Sequence, residues 1–244
     1  NLAYAMVKAG VVDSALSCGI ELMSQIKMGA TIPDAETTGV PVNARYWENY
    51  EWTSQFEGAE RIADQWGITR QDADEFGKRS QDLAAKARAE DAFSTQVVPI
   101  EVPVLDEEGK PTGETTTVSA DGGIRETDLE KLASLKPVAR EDGVHTAGSA
   151  SQISDGAGAV LMMTREKADE LGLKPLAKIV DTCLVGTDPV LMLTGPIDAT
   201  KKLLDDNGLT MDDIGVVEIN EAFASVVLAW EKEFSPNMDT VNPN

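Results

Sequence analysis

The chain has 244 residues, enough for one large domain or for two smaller domains with cores of their own. Its 42 acidic and 21 basic side chains give a formal net charge of -21 at pH 7, which argues against nucleic acids and anionic membranes as partners. No apolar run approaches the roughly 20 residues of a membrane-spanning helix, and the first residues lack a basic leader and a cleavage site. We therefore expect a cytoplasmic protein with no membrane span.

The residue types that most often carry chemistry are sparse. Cys18 and Cys183 stand in separate apolar contexts and form no Cys-x-x-Cys pair, so we expect two buried thiols in a reducing compartment. His145 is the only histidine and has no matched cysteine or serine, which favours a structural or exposed role. No cluster has the spacing of metal ligands, so we predict no metal site. The glycine-rich residues 143–158 contain no nucleotide-binding glycine pattern.

The first half of the chain predicts its elements in an irregular order: a helix over residues 1–9, a strand over 14–18, a helix over 59–66 ended by Gly67, a longer helix after Thr69, strands over 97–104 and 115–119, and a short helix over 129–135. Thr69 with Asp72 three residues later is a variant of the capping box. Residues 25–54 show little periodicity, as in an inserted subdomain. Near their end four aromatic residues favour a small core over a binding platform: Tyr46, Trp47, Tyr50 and Trp52.

The second half alternates strands and helices: a strand over 159–163, a helix from Thr164 to Gly172, a strand over 176–185, a helix from Pro196 to Gly208 and a strand over 216–219. This alternation implies a mostly parallel sheet with helices on its faces. Residues 25–143 interrupt the pattern and are interpreted as an insertion into an α/β protein.

The most informative stretch is Val216 to Ala224, where an apolar, β-branched strand pattern changes into the stripe of an amphipathic helix. Asn220 and Glu221 lie at the change, at the carboxyl end of the predicted strand, where open α/β sheets collect ligands and catalytic groups. From the local pattern alone we favour Asn220 as the helix N-cap, a common role for asparagine. A functional site at this position stays open as the alternative.

Several stretches together resemble the thiolase family, over nearly all of the chain. Residues 220–224 are similar to its Asn-Glu-Ala-Phe-Ala motif, and residues 146–152 resemble its Thr-Ala-Gly-Asn-Ala-Ser-Gln segment, with Ser149 where asparagine is usual. Residues 19–24 resemble its Gly-x-Glu-Ser-Met-Ser segment, with Leu22 in place of serine. The fourth match is the loop of residues 186–189 and 194–196.

The resemblance implies a thiolase-like α/β fold of two similar half-domains with mixed sheets and an inserted α+β loop domain, truncated at both ends. The expected divisions are residues 1–26 (part of the N-terminal half-domain), 27–143 (loop domain), 144–164 (last strand region of the N-terminal half-domain) and 165–244 (part of the C-terminal half-domain). It also implies assembly as a homodimer or homotetramer.

The chemistry that the resemblance implies is acyl transfer between a 3-oxoacyl-CoA and CoA through a cysteine nucleophile, with CoA as co-substrate and no cofactor. The implied roles are a water held by Asn220 in an oxyanion hole, a pantetheine tunnel lined by Phe223, an acyl end beside Met192, a pantetheine amide bonded by Ser151, and adenine and phosphates against Arg125.

The chain departs from the family at its most reactive positions. The two catalytic cysteines and the catalytic histidine of the family have no counterpart, and neither Cys18 nor Cys183 matches them. We therefore expect a fragment without turnover of its own and, because its sheet edges would be unpaired, with poor solubility. Ser54 and Gln55 replace the His-Met of many short-chain biosynthetic enzymes, which favours a degradative 3-oxoacyl-CoA thiolase of fatty-acid or sterol side-chain β-oxidation. The alternatives are a biosynthetic acetoacetyl-CoA thiolase and a non-catalytic acyl-CoA-binding protein on the same scaffold.

Overall fold

A computed structural model describes residues 1–30, 39–40 and 42–244, so part of the irregular stretch predicted over 25–54 lies outside the described residues. In chain order the described elements are α1 Leu2–Lys8, β1 Ser14–Glu21, α2 Ala44–Asn49, α3 Gln55–Trp66, α4 Arg70–Ala89, β2 Ile100–Leu105, β3 Pro111–Val118, α5 Leu129–Ala133, β4 Gly156–Met163, α6 Arg165–Glu170, α7 Gly195–Asn207 and α8 Ala224–Phe234. Short 3₁₀ turns at Met211–Asp213 and Met238–Thr240 precede and follow α8. Over these residues no helix is both long and apolar enough to cross a bilayer.

The apolar core lies among helices α3, α4, α7 and α8. Trp230 of α8 is 1% exposed, and its indole N–H donates to Thr200 Oγ1 at 2.9 Å, which satisfies the one polar atom of this large ring. Val227 of the same helix and Ile62 of α3 are fully buried. The apolar stripe of the amphipathic helix that the sequence predicts after residues 216–224 therefore faces the core.

The helix ends follow the signals in the sequence. Gly67 after α3 and Gly208 after α7 adopt the left-handed conformation, with φ of 60° and 62°, which glycine reaches without steric cost. Thr69 and Asp72 form the predicted capping box at the start of α4, and the Thr69 N–H donates to Asp72 Oδ2 at 2.8 Å. These boundaries are set locally, because each depends on residues within one turn of the helix end.

The strands form two separate antiparallel ladders, β1 with β4 and β2 with β3. The first ladder runs from Ser14 opposite Met163 to Glu21 opposite Gly156, and both its faces are largely exposed. Cys18 lies in this ladder and is exposed, while Cys183 is half-buried. The prediction of two buried thiols is therefore wrong for Cys18, because neither face of the ladder is covered around it.

Two predicted strands do not form. Residues 176–185 make no backbone ladder in the described part of the chain; the carbonyls of Val180 and Cys183 instead accept hydrogen bonds from the side chains of Tyr4 and Asn1. A strand needs a neighbouring strand whose backbone groups pair with its own. Here these two carbonyls are paired with side chains instead. Residues 216–219 make one parallel bridge, Val217 to Val241. The mostly parallel sheet is thus a wrong prediction for the described residues, whose ladders are both antiparallel.

The aromatic residues near the start of α3 contact one another but are not buried. Their ring centroids lie between 5.3 and 6.0 Å apart. Trp47, Tyr50 and Trp52 are nevertheless 56%, 50% and 54% exposed. The small core predicted from them is therefore wrong for the described residues, among which these three side chains stay about half exposed.

Candidate active site

Two segments that lie far apart in the sequence are paired directly at the start of α8. The Ser151 N–H donates to the Ala222 carbonyl, and the Ala224 N–H donates to the Ser149 carbonyl, each at 2.9 Å. These bonds form an isolated antiparallel bridge between Ala150 and Phe223. The small side chains at 147–151 permit this close approach. The two most distinctive motifs of the sequence therefore meet in one structural unit.

A glycine in α4 explains how the 146–152 segment packs so tightly. A Cβ atom at Gly77 would collide with the carbonyl oxygen of Gly148, so α4 can approach this backbone only with glycine at that position. A Cβ atom at Gly148 would meet the terminal methyl of Leu132 in α5, a contact that this flexible side chain could relieve by shifting. The segment is thus held between α4, α5 and the start of α8.

His145 is buried, which corresponds to the structural one of the two roles that the sequence favoured, although two serine hydroxyls lie at its ring. It is 0% exposed; its Nε2 lies 2.8 Å from Ser225 Oγ, which in turn donates to the Ala59 carbonyl at 3.0 Å. Its Nδ1 lies 3.4 Å from Ser149 Oγ. Burial lowers the pKa of His145 below its ordinary value, so the ring is neutral at pH 7. A neutral ring with a partner at each nitrogen fastens the segment to α8.

Glu60 of α3 holds the backbone at residues 144 and 145, directly before the same segment. Its carboxylate is 1% exposed and accepts the backbone N–H groups of Val144 at 2.8 Å and of His145 at 3.0 Å. A Cβ atom at Gly143 would lie 2.7 Å from Glu60 Oε1, so a larger residue there would displace the carboxylate. This buried carboxylate is satisfied by backbone donors, which offset the cost of its desolvation.

A cavity of about 470 Å³ opens beside the paired segments. Its wall is formed by α4, the loop of residues 121–127, the segment 147–152 and Glu221. The loop is tied to both neighbours, because the Arg125 N–H donates to Gln81 Oε1 and Gln152 Nε2 donates to the Gly123 carbonyl, each at 2.8 Å. The cavity is therefore lined by backbone that is held from two sides.

Arg125 and Lys131 place two cationic side chains at this cavity on a strongly acidic chain. Both side chains are exposed and both line the cavity. Asp121, Glu126 and Glu221 line it as well, so the two cations stand among carboxylates. An anionic ligand is attracted by the cations at close range, because salt screens the global negative field beyond about 10 Å.

The structure brings two of the five predicted site residues to the cavity wall. Arg125 and Ser151 line it. Asn220 is exposed and lies one residue from Glu221, which also lines the wall. Asn220 is not the helix N-cap that the local pattern favoured; that position belongs to Phe223, whose side chain makes no capping hydrogen bond. The helix starts three residues later because the Phe223 backbone is held in the bridge to Ala150.

The remaining two predicted residues lie outside the cavity wall. Phe223 is 3% exposed and packs edge-on against Phe56 and His145, with ring centroids 5.5 and 5.3 Å away. Met192 lies on a loop with a left-handed φ of 47°, unusual for a residue other than glycine. Asp188 Oδ1 accepts the N–H groups of Val190 and Leu191 in this loop. Strain of this kind persists only where surrounding contacts fix the backbone.

Sequence reasoning missed a polar chain at the cavity wall. Glu221 Oε2 accepts the Ser80 hydroxyl at 2.6 Å, and its Oε1 accepts Asn242 Nδ2 at 2.7 Å. The position of Glu221 next to Asn220 was a signal for it, but nothing in the sequence ties residue 80 or 242 to this place. Among the described residues no group of three or more His, Cys, Asp or Glu side chains is arranged to hold a metal ion.

Profiles of known families match the chain over almost its whole length. The profile of "Thiolase, N-terminal domain" matches residues 1–166, and that of "Thiolase, C-terminal domain" matches residues 173–244. The chain belongs to the thiolase family.

Characterised thiolases align with the chain from end to end. It is 39% identical to the 3-ketoacyl-CoA thiolase of Bacillus subtilis and 38% identical to the acetyl-CoA acetyltransferase of Syntrophomonas wolfei, over 100% of this chain and 62% and 63% of those proteins. It is also 38% identical to the steroid 3-ketoacyl-CoA thiolase FadA6 of Mycobacterium tuberculosis, over 98% of this chain and 57% of that protein. The chain therefore spans about three fifths of the length of these thiolases.

A solved thiolase has the same fold. The dimeric peroxisomal thiolase of Saccharomyces cerevisiae superposes with a TM-score of 0.83 at 31% sequence identity, over 98% of this chain and 58% of that one. The described architecture is therefore a thiolase-like α/β fold, as the motifs predicted.

Proposed function

We propose that this chain forms the CoA-binding part of an acyltransferase that cleaves 3-oxoacyl-CoA with CoA. The observation that carries the proposal is the cavity in which Arg125 and Ser151 share a wall with Glu221, the neighbour of Asn220. A basic side chain at one part of the wall and a hydroxyl at another suit a ligand that has phosphates at one end and an amide chain towards the other. Thiolase family membership supports CoA as that ligand.

Each proposed site residue then has a physical role. The Arg125 guanidinium binds CoA phosphates, and the Ser151 hydroxyl bonds a pantetheine amide. Phe223 and Met192 give the tunnel its apolar surface towards the acyl end. Asn220 holds a water molecule that stabilises the negative oxygen of the transition state.

The primary test is a calorimetric titration of the 244-residue chain with CoA. We expect saturable binding that weakens about tenfold or more in Arg125→Ala, because a charge-assisted bond to phosphate contributes about 1.5–3 kcal/mol. Dephospho-CoA and pantetheine, titrated in parallel, separate the phosphate contacts from the amide contacts. Arg165→Ala removes the same charge from the first turn of α6, outside the cavity wall, and is the matched control. Equal CoA affinity in both variants would overturn the role of Arg125.

Ser151→Ala tests the pantetheine end of the cavity. We expect CoA and pantetheine to lose affinity by the same factor of about three to ten, since a neutral hydrogen bond contributes about 0.5–1.5 kcal/mol. Adenosine 3′,5′-bisphosphate, which lacks pantetheine, should bind the variant as it binds the wild type. A loss of affinity for that nucleotide would contradict the assignment.

We further propose that the substrate is a 3-oxoacyl-CoA of fatty-acid or sterol side-chain breakdown, and that the 244 residues alone do not turn it over. Neither Cys18 nor Cys183 lines the cavity, and neither matches a catalytic cysteine of the family, so we expect no nucleophile for the acyl group among these residues. Thiolysis of acetoacetyl-CoA and of a long-chain 3-oxoacyl-CoA, followed at the loss of the enolate absorbance, should both give background rates. Turnover limited to acetoacetyl-CoA would favour the biosynthetic alternative, and CoA binding by a complete protein without turnover would favour the acyl-CoA-binding alternative.

We also propose that the protein assembles with a second copy of itself. The related yeast structure is titled a dimeric thiolase, and large apolar side chains are exposed along the β1–β4 ladder here. Light scattering coupled to size-exclusion chromatography measures the mass directly. A mass of one chain at every concentration would contradict the proposal.

A further inference from the structure

Asn242 combines a left-handed backbone with three side-chain hydrogen bonds to the turn that leads to the candidate site. It has a left-handed φ of 45° and is 9% exposed. Its Oδ1 accepts the Ile219 N–H at 2.8 Å, while its Nδ2 donates to the Ile219 carbonyl at 2.9 Å and to Glu221 Oε1 at 2.7 Å. Both N–H groups of the carboxamide and its oxygen are thus hydrogen-bonded within the protein.

The chemistry of the carboxamide explains why asparagine suits this position. One acceptor and two donors on a short side chain match one N–H, one carbonyl and one carboxylate. Asparagine also tolerates the left-handed backbone better than other residues with a side chain. The Asn242 N–H adds a backbone bond to the Val217 carbonyl at 2.9 Å, so residues 217 to 221 are fastened to this one residue at three points.

The same contacts continue to the cavity wall. Glu221 accepts from Asn242 with one oxygen and from Ser80 of α4 with the other. Ser80 and Glu221 both line the cavity, and the Ala222 carbonyl next to Glu221 accepts the Ser151 N–H at 2.9 Å. A shift of the turn at residues 219–222 would therefore move Asn220, Glu221 and Ser151 together.

We infer that Asn242 is a positioning residue for the CoA cavity, acting through Ile219 and Glu221 on the turn that carries Asn220 and supports Ser151. The inference rests on the proposed function, because it takes CoA as the occupant of the cavity. In this inference the hydrogen bonds from Ser80 and Asn242 to Glu221 hold the turn at residues 219–222 between α4 and the segment at residues 240–242.

Asn242→Asp is the sharpest single substitution, since it conserves shape. The aspartate still accepts the Ile219 N–H, but its second oxygen faces Glu221 Oε1 and the Ile219 carbonyl, so two hydrogen bonds become repulsions. We expect CoA affinity of the 244-residue chain to fall tenfold or more. Asn237→Asp is the matched control, because the exposed Asn237 side chain accepts a hydrogen bond from the Asp239 N–H and an aspartate can accept it equally. The same added charge there should change CoA affinity less than twofold.

A double substitution provides the rescue that a general structural role would not. In Asn242→Asp with Glu221→Gln, the glutamine amide can donate to the aspartate while its carbonyl accepts from Ser80, and the net charge returns to that of the wild type. The repulsion from the Ile219 carbonyl remains, so we expect CoA affinity to recover at least threefold over Asn242→Asp without reaching that of the wild type, and a double-mutant cycle with Glu221→Gln alone isolates the coupling. Melting temperatures of all variants show that each titration is made on folded protein.

The outcomes separate the inference from the proposed function. If the wild type binds CoA and Asn242→Asp binds it equally, or the double variant shows no recovery, the inference is overturned. If the wild type binds no CoA, the proposed function fails first and the role for the cavity fails with it. Amide hydrogen exchange at position 242, whose N–H donates to the Val217 carbonyl, then still reports the hydrogen-bond chain itself: faster exchange in Asn242→Asp than in the double variant would retain the anchor as a structural element.

Discussion

The helical core and the β1–β4 ladder contain similar apolar residues, but the core buries them and the ladder leaves them exposed. In the core, Ile62 and Val227 are 0% exposed, while Leu16 and Leu161, which face each other across the ladder, are 63% and 58% exposed. Burial stabilises by about 25 cal/mol per Å² of apolar surface removed from water, so the core contributes most of the stability and the ladder little. The segments at 144–151 and 221–224 are attached to the core side, which is why the candidate site is well held.

The largest effect is expected at the centre of the core. Trp230→Ala removes a ring that is 1% exposed and leaves the Thr200 hydroxyl without its donor, so we expect a loss of about 3–5 kcal/mol in unfolding free energy. Urea denaturation followed by circular dichroism measures it. Trp47→Ala removes the same side chain where it is 56% exposed and should cost less than about 1 kcal/mol. Similar losses for the two tryptophans would contradict the division into a buried core and an exposed periphery.

Glu60 tests whether the core also fixes the site segment. Glu60→Gln keeps the shape but replaces one acceptor oxygen by a donor that faces the Val144 or the His145 N–H, so we expect a loss of about 1–3 kcal/mol. The same experiment on Glu166→Gln, an exposed residue in the first turn of α6, should change stability by less than about 0.5 kcal/mol. CoA affinity should fall only in the Glu60 variant, and an unchanged affinity would mean that the segment keeps its place without this carboxylate.

The sequence predicts features that are set by local contacts better than features that depend on distant ones. The helix ends at Gly67, Thr69 and Gly208 were predicted because capping is decided within one turn. The strands at 176–185 and 216–219 were not, since a strand exists only with a partner whose position depends on the whole fold. The motifs at 146–152 and 220–224 predicted the family, and the site residues assigned from them stay a prediction. Their pairing and the contribution of Asn242 could not be read from the sequence, because they rest on contacts between residues far apart in the chain.

The ion pairs around Glu57 make the free energy of unfolding depend modestly on pH. Hydrogen bonds from Arg140 and then from Arg61 lower the pKa of Glu57 from 4.5 to about 2. A lowered carboxyl pKa stabilises the fold fully above the unfolded value of 4.5, and this contribution is lost as pH falls towards 2. Because the side chains remain 29% to 31% exposed, we expect about 1 kcal/mol after solvent screening.

The measurement is the difference in unfolding free energy between the wild type and Glu57→Gln, taken at several pH values. The advantage of the wild type should be constant from pH 7 to about 5 and should shrink between pH 4.5 and 2. Glu51→Gln is the milder comparison, since Glu51 is exposed and is paired with Arg61 alone. An advantage that grows on acidification would contradict the assigned ion pairs.

The smallest effect on stability is expected in the exposed ladder. Leu161→Lys places a charge where the side chain is already 58% exposed, so unfolding free energy should change by less than about 0.5 kcal/mol. Its effect on association should be larger, because a lysine on an exposed strand opposes edge-to-edge pairing. Light scattering at rising protein concentration should therefore show less aggregate than in the wild type. Ile62→Lys puts the same charge into the core and should prevent folding. If Leu161→Lys also unfolded the chain, the ladder would have to contribute stability that its exposure does not account for, and the contrast between the two regions would fail.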